Sequence, residues 1–180
     1  AKAEEQPQNS DAPAFHGPVY PIVEVSQVVG GLNNTSGPNK EIYVNNHTSF
    51  DINIQNLLEE PLKIKPEKGK PFVLIVHTHT TESYTPAGQD SYNAGDSTRT
   101  QDKAQNVVRV GDVLAQQLKE AGINVIHDTT INDYPSYNGS YKKTLGIIES
   151  YLEKYPSIQV VIDVHRDGMS RDDGTKLKTC

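Results

Sequence analysis

The chain has one cysteine in 180 residues, Cys180, and it is the last. Neither an internal disulfide framework nor a thiolate zinc site can be built from it, so any metal must be held by His, Asp or Glu. No stretch approaches the roughly 18 consecutive apolar residues needed to span a bilayer. The start also lacks the charged and then apolar regions of a secretory signal. Positive charge is scarce: 17 Lys and Arg stand against 23 Asp and Glu, a net charge of −6, with no dense cationic stripe. No nucleic-acid partner gripped through its phosphates is expected. Apolar residues make up only 34%, which suits one packed domain with a loose end.

Residues 1–18, AKAEEQPQNSDAPAFHGP, have no hydrophobic period and read as a disordered tail or stalk. Residues 19–69 read as an extended amino-terminal region whose short strand and helix pack on the core. VYPIVEVSQVV is rich in β-branched residues, GGLNNTSGPNK in turn formers, and EIYVNN suits a short strand. In HTSFDINIQNLLEEPLKI, Thr48 or Ser49 can cap a short helix through Leu57 and Leu58 that Pro61 stops.

From residue 70 to 180 the pattern is regular. FVLIVH is a near-continuous apolar run, as in strands buried on both faces. DKAQNVVRVGDVLAQQLKEAG sets Val107, Val110, Leu114 and Leu118 at helical steps, with Gly122 as the stop. INVIHDTT follows as a strand, then SYKKTLGIIESYLEKY as a helix with Tyr141, Leu145, Ile148 and Leu152 on one face, then SIQVVIDVH as a third strand. This β-α-β-α-β order predicts an α/β fold, a mainly parallel twisted sheet with helices on both faces. Ligands in such sheets bind beyond the carboxyl ends of the strands.

His77 and His79 close the first of these strands and His165 the third. Zinc in a hydrolytic site takes three protein ligands from His, Asp and Glu and leaves a fourth position to water, whose pKa falls to about 7. His79 and Glu82 share one loop and can be aimed at one ion, with His165 arriving from a neighbouring strand end. Strand alternation sends residues 77 and 79 to the same side unless the chain bends after Val76, and His79 has the first claim. Asp102 competes with Glu82, although its place before a helix also makes it a cap or first-turn acid. A lone strand-end histidine more often packs than ligates, and His-x-His-x-x-Glu is not the helical metalloprotease motif. Near His165, Asp163 could orient the imidazole and Arg166 could hold a substrate carboxylate or carbonyl, while Arg166 with Asp167 also reads as a surface pair. The loop TPAGQDSYNAGDSTRT reads as solvated, with a groove lining as the alternative. His16, His47 and His127 read as structural or solvent-facing.

The blocks PFVLIVHTHTTESYTP, RTQDKAQNVVRVGDVLAQQL and VVIDVHRDG, with IYVNNHTSFDINIQNLLEEPLKI upstream, closely resemble the stage II sporulation protein P family over about residues 40 to 170. The resemblance implies a zinc-dependent peptidoglycan hydrolase related to the N-acetylmuramoyl-L-alanine amidases, credited also with endopeptidase action and active during forespore engulfment. It implies Zn2+ on His79 and His165, with Glu82 or Asp102 as the carboxylate. It further implies an enzyme outside the cytoplasmic membrane, held by an amino-terminal anchor absent from this chain, that acts with stage II sporulation proteins D and M. In that family, further strands and a general-base glutamate follow the DVHRDG block. The chain thus reads as an amidase-like domain truncated at its carboxyl end, and no catalytic glutamate is carried onto it.

Overall fold

The computed structural model describes residues 17–24, 46, 48–86 and 88–178. Residues 1–16 of the tail expected at 1–18, residues 41–45 of the strand expected at EIYVNN, and His16 and His47 lie outside the described residues.

The core is a three-stranded parallel sheet in which β2 (Val73–Val76) lies between β4 (Val125–His127) and β5 (Val160–Asp163). Register pairs Ile75 with His127 on one side and Val76 with Asp163 on the other. All four residues of β2 are buried, and each such side chain contributes about 1.5–3 kcal/mol by leaving water. Alternation along the strand divides the core. Phe72, Val73 and Ile75 pack with Ala115, Leu114 and Leu118 of α2 (Val107–Glu120), whereas Leu74 and Val76 pack with Ile148 and Tyr151 of α3 (Ser140–Lys154). The chain is thus α/β, with helices on opposite faces of a parallel sheet.

α2 packs through its expected face except at Val110, whereas α3 is rotated from the face its apolar residues predict. In α2 the buried residues are Val107, Val108, Gly111 and Ala115, and Val110 is 41% exposed. Gly111 sits where the helix crosses His77 and His127, and a Cβ there would lie 2.7 and 2.5 Å from their Nε2 atoms. Only glycine permits that approach. In α3 the buried residues are Ser140 and Thr144, continued by the partly buried Ile148, Tyr151 and Tyr155, while Tyr141, Leu145 and Leu152 face solvent. Small side chains let the start of α3 lie close to the end of β2. Asn106 caps α2 by accepting from Val108 N, and Gly122, at φ 81°, ends it.

A second sheet gathers distant parts of the chain in the order β3 (Ser91–Asn93), β1 (Val19–Glu24), β7 (Lys176–Lys178), β6 (Met169–Ser170). β1 is antiparallel to β3 and parallel to β7. The segment expected as a solvated loop therefore contains a paired strand. α1 (Ile54–Glu59) is capped by Asn53, not Thr48 or Ser49, and none of its residues is buried. Thr48 instead bonds Asn46 and accepts from Phe50 N, shaping the turn before the helix.

Candidate metal centre

After Val76 the chain leaves the sheet and turns. Glu82 N donates to His79 O at 3.0 Å, bringing Glu82 back beside His79. The threonines between them fix this turn through carboxylates from neighbouring segments. Thr78 donates its amide and hydroxyl to Asp163 at 2.8 and 2.6 Å, at the end of β5. Thr81 donates its amide and hydroxyl to Asp133, at 3.0 and 2.7 Å to its two oxygens. Asp133 has a fully buried side chain and is paired with Arg99 at 2.7 Å. A buried carboxylate so satisfied can stay charged.

The turn brings His79, Glu82 and His165 together. The rings of His79 and His165 meet edge to face with centroids 5.2 Å apart, and His165 Nδ1 lies 3.7 Å from Glu82 Oε2. Asp163 Oδ2 is 2.9 Å from His165 Nε2, the orienting contact that a carboxylate gives an imidazole. Burial alone would raise the Asp163 carboxyl, but the Thr78 hydroxyl and amide and His165 outweigh it and hold it below the usual range. Burial pushes His79 below its ordinary value against the pull of Glu82, favouring the neutral imidazole that can ligate.

His77 goes elsewhere. Its Nδ1 donates to Val164 O at 3.1 Å, and its Nε2 faces His127 Nε2 at 2.8 Å. His127 Nδ1 in turn lies 3.1 Å from Asp112 Oδ1. The bend after Val76 separates the two histidines, so His77 joins a buried contact under α2, and His127 is its partner. Asp102 also stands apart: it is exposed and accepts from Ala104 N and Gln105 Nε2, a local turn contact. Arg166 is at the cluster but spent on the chain. Its amide donates to Glu82 Oε2 at 2.9 Å, and its guanidinium donates to Ser83 O and Thr98 O at 2.9 and 2.7 Å. It latches the loop that carries Glu82. Asp167 is exposed and accepts only from the neighbouring Gly168 amide among the described residues.

Four residues that the sequence reading passed over complete the site. Tyr137 stacks on His79 at 4.4 Å with its hydroxyl 3.0 Å from Nε2, and Ser140 Oγ is 3.3 Å from Nδ1. Arg99 lies over the Tyr137 ring at 4.9 Å and 3.7 Å from Glu82, and Asp133 anchors it. Only the run of threonines after the strand, needing acceptors, hinted at Asp133.

The donor set fits zinc in kind: two imidazoles and a carboxylate at adjoining strand ends. Its surroundings fit as well, since Glu82, Asp133 and Asp163 outnumber Arg99 and Arg166 by one negative charge. In the described arrangement these donors are hydrogen-bonded to neighbours, and among the described residues no three His, Cys, Asp or Glu side chains surround one point. Side-chain torsions at His79 and His165 would have to change for the three to share an ion.

Residues 18–179 match the family model described as Stage II sporulation protein P. Stage II sporulation protein P of Bacillus subtilis (strain 168) is 31% identical over 112 residues, which cover 59% of this chain and 27% of that protein. The chain thus spans about a quarter of the length of the curated relative it matches. No solved structure matches it. With the family model covering nearly all of its residues, the chain belongs to the stage II sporulation protein P family.

Proposed function

We propose that this chain is the zinc-binding part of a peptidoglycan hydrolase, an N-acetylmuramoyl-L-alanine amidase of amidase-like fold with endopeptidase action as a second capacity. The observation that supports this reading is the packing of His79, Glu82 and His165 at the carboxyl ends of β2 and β5 in a member of this family. These three residues would hold the ion. Zinc bound there would supply a Lewis acid that lowers the pKa of a water and polarises the scissile carbonyl. Asp163 orients His165, the Arg166 amide orients Glu82, and Ser140 holds one nitrogen of His79. Taking the proton of the attacking water and passing it to the leaving amine needs a group that acts first as general base and then as general acid, a role given to no residue described here.

On the same reading the whole protein works on the cell wall during forespore engulfment. It is anchored outside the cytoplasmic membrane and acts beside stage II sporulation proteins D and M, the first a lytic transglycosylase and the second a membrane protein.

Zinc content of the purified chain, and stem peptides released from sacculi by the whole protein, test this. His79→Ala and His165→Ala each abolish both, whereas His77→Gln retains both. Full zinc uptake and release in the two alanine variants would overturn the assignment. A non-catalytic wall-binding role is the second reading, favoured by the hydroxyls that occupy both nitrogens of His79. Protein that binds sacculi, takes up no zinc and releases nothing would establish it.

A further inference from the structure

Tyr134 and Tyr137, in the connection between β4 and α3, and Tyr141, in the first turn of α3, are all open to solvent, at 55%, 52% and 65% exposure. Two of them touch His79. Tyr137 stacks on its ring, and Tyr141 meets it edge-on with centroids 5.1 Å apart. Tyr137 is also covered by the Arg99 guanidinium, which buried Asp133 anchors. Its ring is therefore a fixed wall. Among the described residues, the hydroxyls of Tyr134 and Tyr141 make no hydrogen bond, whereas Tyr137 spends its own on His79. Leu145, 53% exposed and one turn beyond Tyr141, extends the apolar surface along α3.

Contiguous exposed aromatics at the mouth of a polar cluster mark a binding surface. Charge narrows what binds. In the metal-free chain the excess of carboxylates at the cluster repels an anion, and a cation would meet Arg99 already lying over Tyr137. An uncharged ligand remains, with a flat apolar face for the rings and hydroxyls for the tyrosine O–H groups. A pyranose ring has both.

We propose that Tyr137 and Tyr141 form a saccharide-binding rim, in which a neutral sugar ring of the wall glycan stacks on Tyr141 beside His79 and the edge of Tyr137. The inference rests on the hydrolase reading for its choice of polymer, but its test does not need hydrolysis. The chain has 9 Tyr and no Trp, so its emission comes from tyrosine alone, and the part of a change that is lost in Tyr141→Ala reports on the rim. Metal-free protein titrated with the uncharged β-1,4-linked tetramer of N-acetylglucosamine shows a saturable change in emission. Tyr141→Ala weakens binding by up to about tenfold, the upper range of one aromatic stack. Phe50→Ala, at a 76% exposed residue outside the site, leaves it unchanged.

No saturable binding in the unsubstituted chain, or undiminished binding by Tyr141→Ala, overturns the rim. Preference for an anionic polymer over the neutral tetramer also overturns it. Stem-peptide release measured on the whole protein separates the two ideas. Tetramer binding without release keeps the rim and sinks the hydrolase; release without tetramer binding does the reverse.

Discussion

His77 and His79 are two residues apart at the end of one strand, and their surroundings differ in every respect that matters for chemistry. His77 is held by a backbone carbonyl and a second imidazole beneath a glycine of α2. His79 is held by hydroxyls and aromatic rings, next to a carboxylate and a third histidine. Both are almost completely buried, so burial does not separate the packing histidine from the candidate ligand. What separates them is the exchangeability of their partners. The Ser140 hydroxyl can rotate away from His79, whereas a strand carbonyl and a helix backbone cannot leave His77.

The comparison breaks first on the His79 side. Asp133→Ala strips the buried acceptor from Thr81 and leaves Arg99 with Glu82, at 3.7 Å, as its remaining carboxylate among the described residues. It should cost about 3 kcal/mol of stability, read as a lower denaturation midpoint. His79 imidazole resonances should shift while those of His127 stay in place, and an unchanged midpoint would show that Asp133 is not the anchor of the turn.

The converse substitution is Gly111→Ala. Its Cβ would meet His127 and His77 at 2.5 and 2.7 Å, and overpacking of this kind costs about 2 kcal/mol. The affected resonances should now be those of His77 and His127. If His79 shifts equally, the two histidines are not independent.

The smallest effect is with pH. Burial pushes His77, His79 and His127 below their ordinary values, opposed by the Val164 carbonyl, Glu82 and Asp112 respectively. Each binds its proton more weakly folded than unfolded. The unfolded chain therefore takes up more protons below pH 6.5, and metal-free protein loses stability as pH falls through the lowered values. Above pH 6.5 this contribution is fully present and level. Denaturation midpoints at neutral and mildly acidic pH check it, and a midpoint that rises on acidification would reverse the assigned protonation states.

Strand and helix order was legible because FVLIVH and the two helical segments carry strong periods, and a fully buried central strand tolerates little else. Which way α3 turns was not. Tyr141, Leu145 and Leu152 outscore Ser140 and Thr144 in apolarity, yet the small pair faces the sheet because space, not transfer from water, decides the approach of α3 to His79. The convergence of His79, Glu82 and His165 was legible from strand-end placement. Asp133, Arg99, Tyr137 and Ser140 were not, because each reaches the cluster from a connection or helix start whose path no local pattern specifies. His77 was ambiguous for the same reason: parity holds only as long as the chain stays extended, and a bend after Val76 ends it.

One peptide unit links the two histidine environments. Val164 O receives His77, and the next residue, His165, faces Glu82 and Asp163. Val164 N is itself bonded to Val76 O at 3.0 Å. The backbone beneath His165 is thus clamped between a sheet bond and an imidazole that α2 overlies. Alignment tolerance at the cluster must come from side-chain torsion, since sliding this strand end would pull the opposite face of the domain with it.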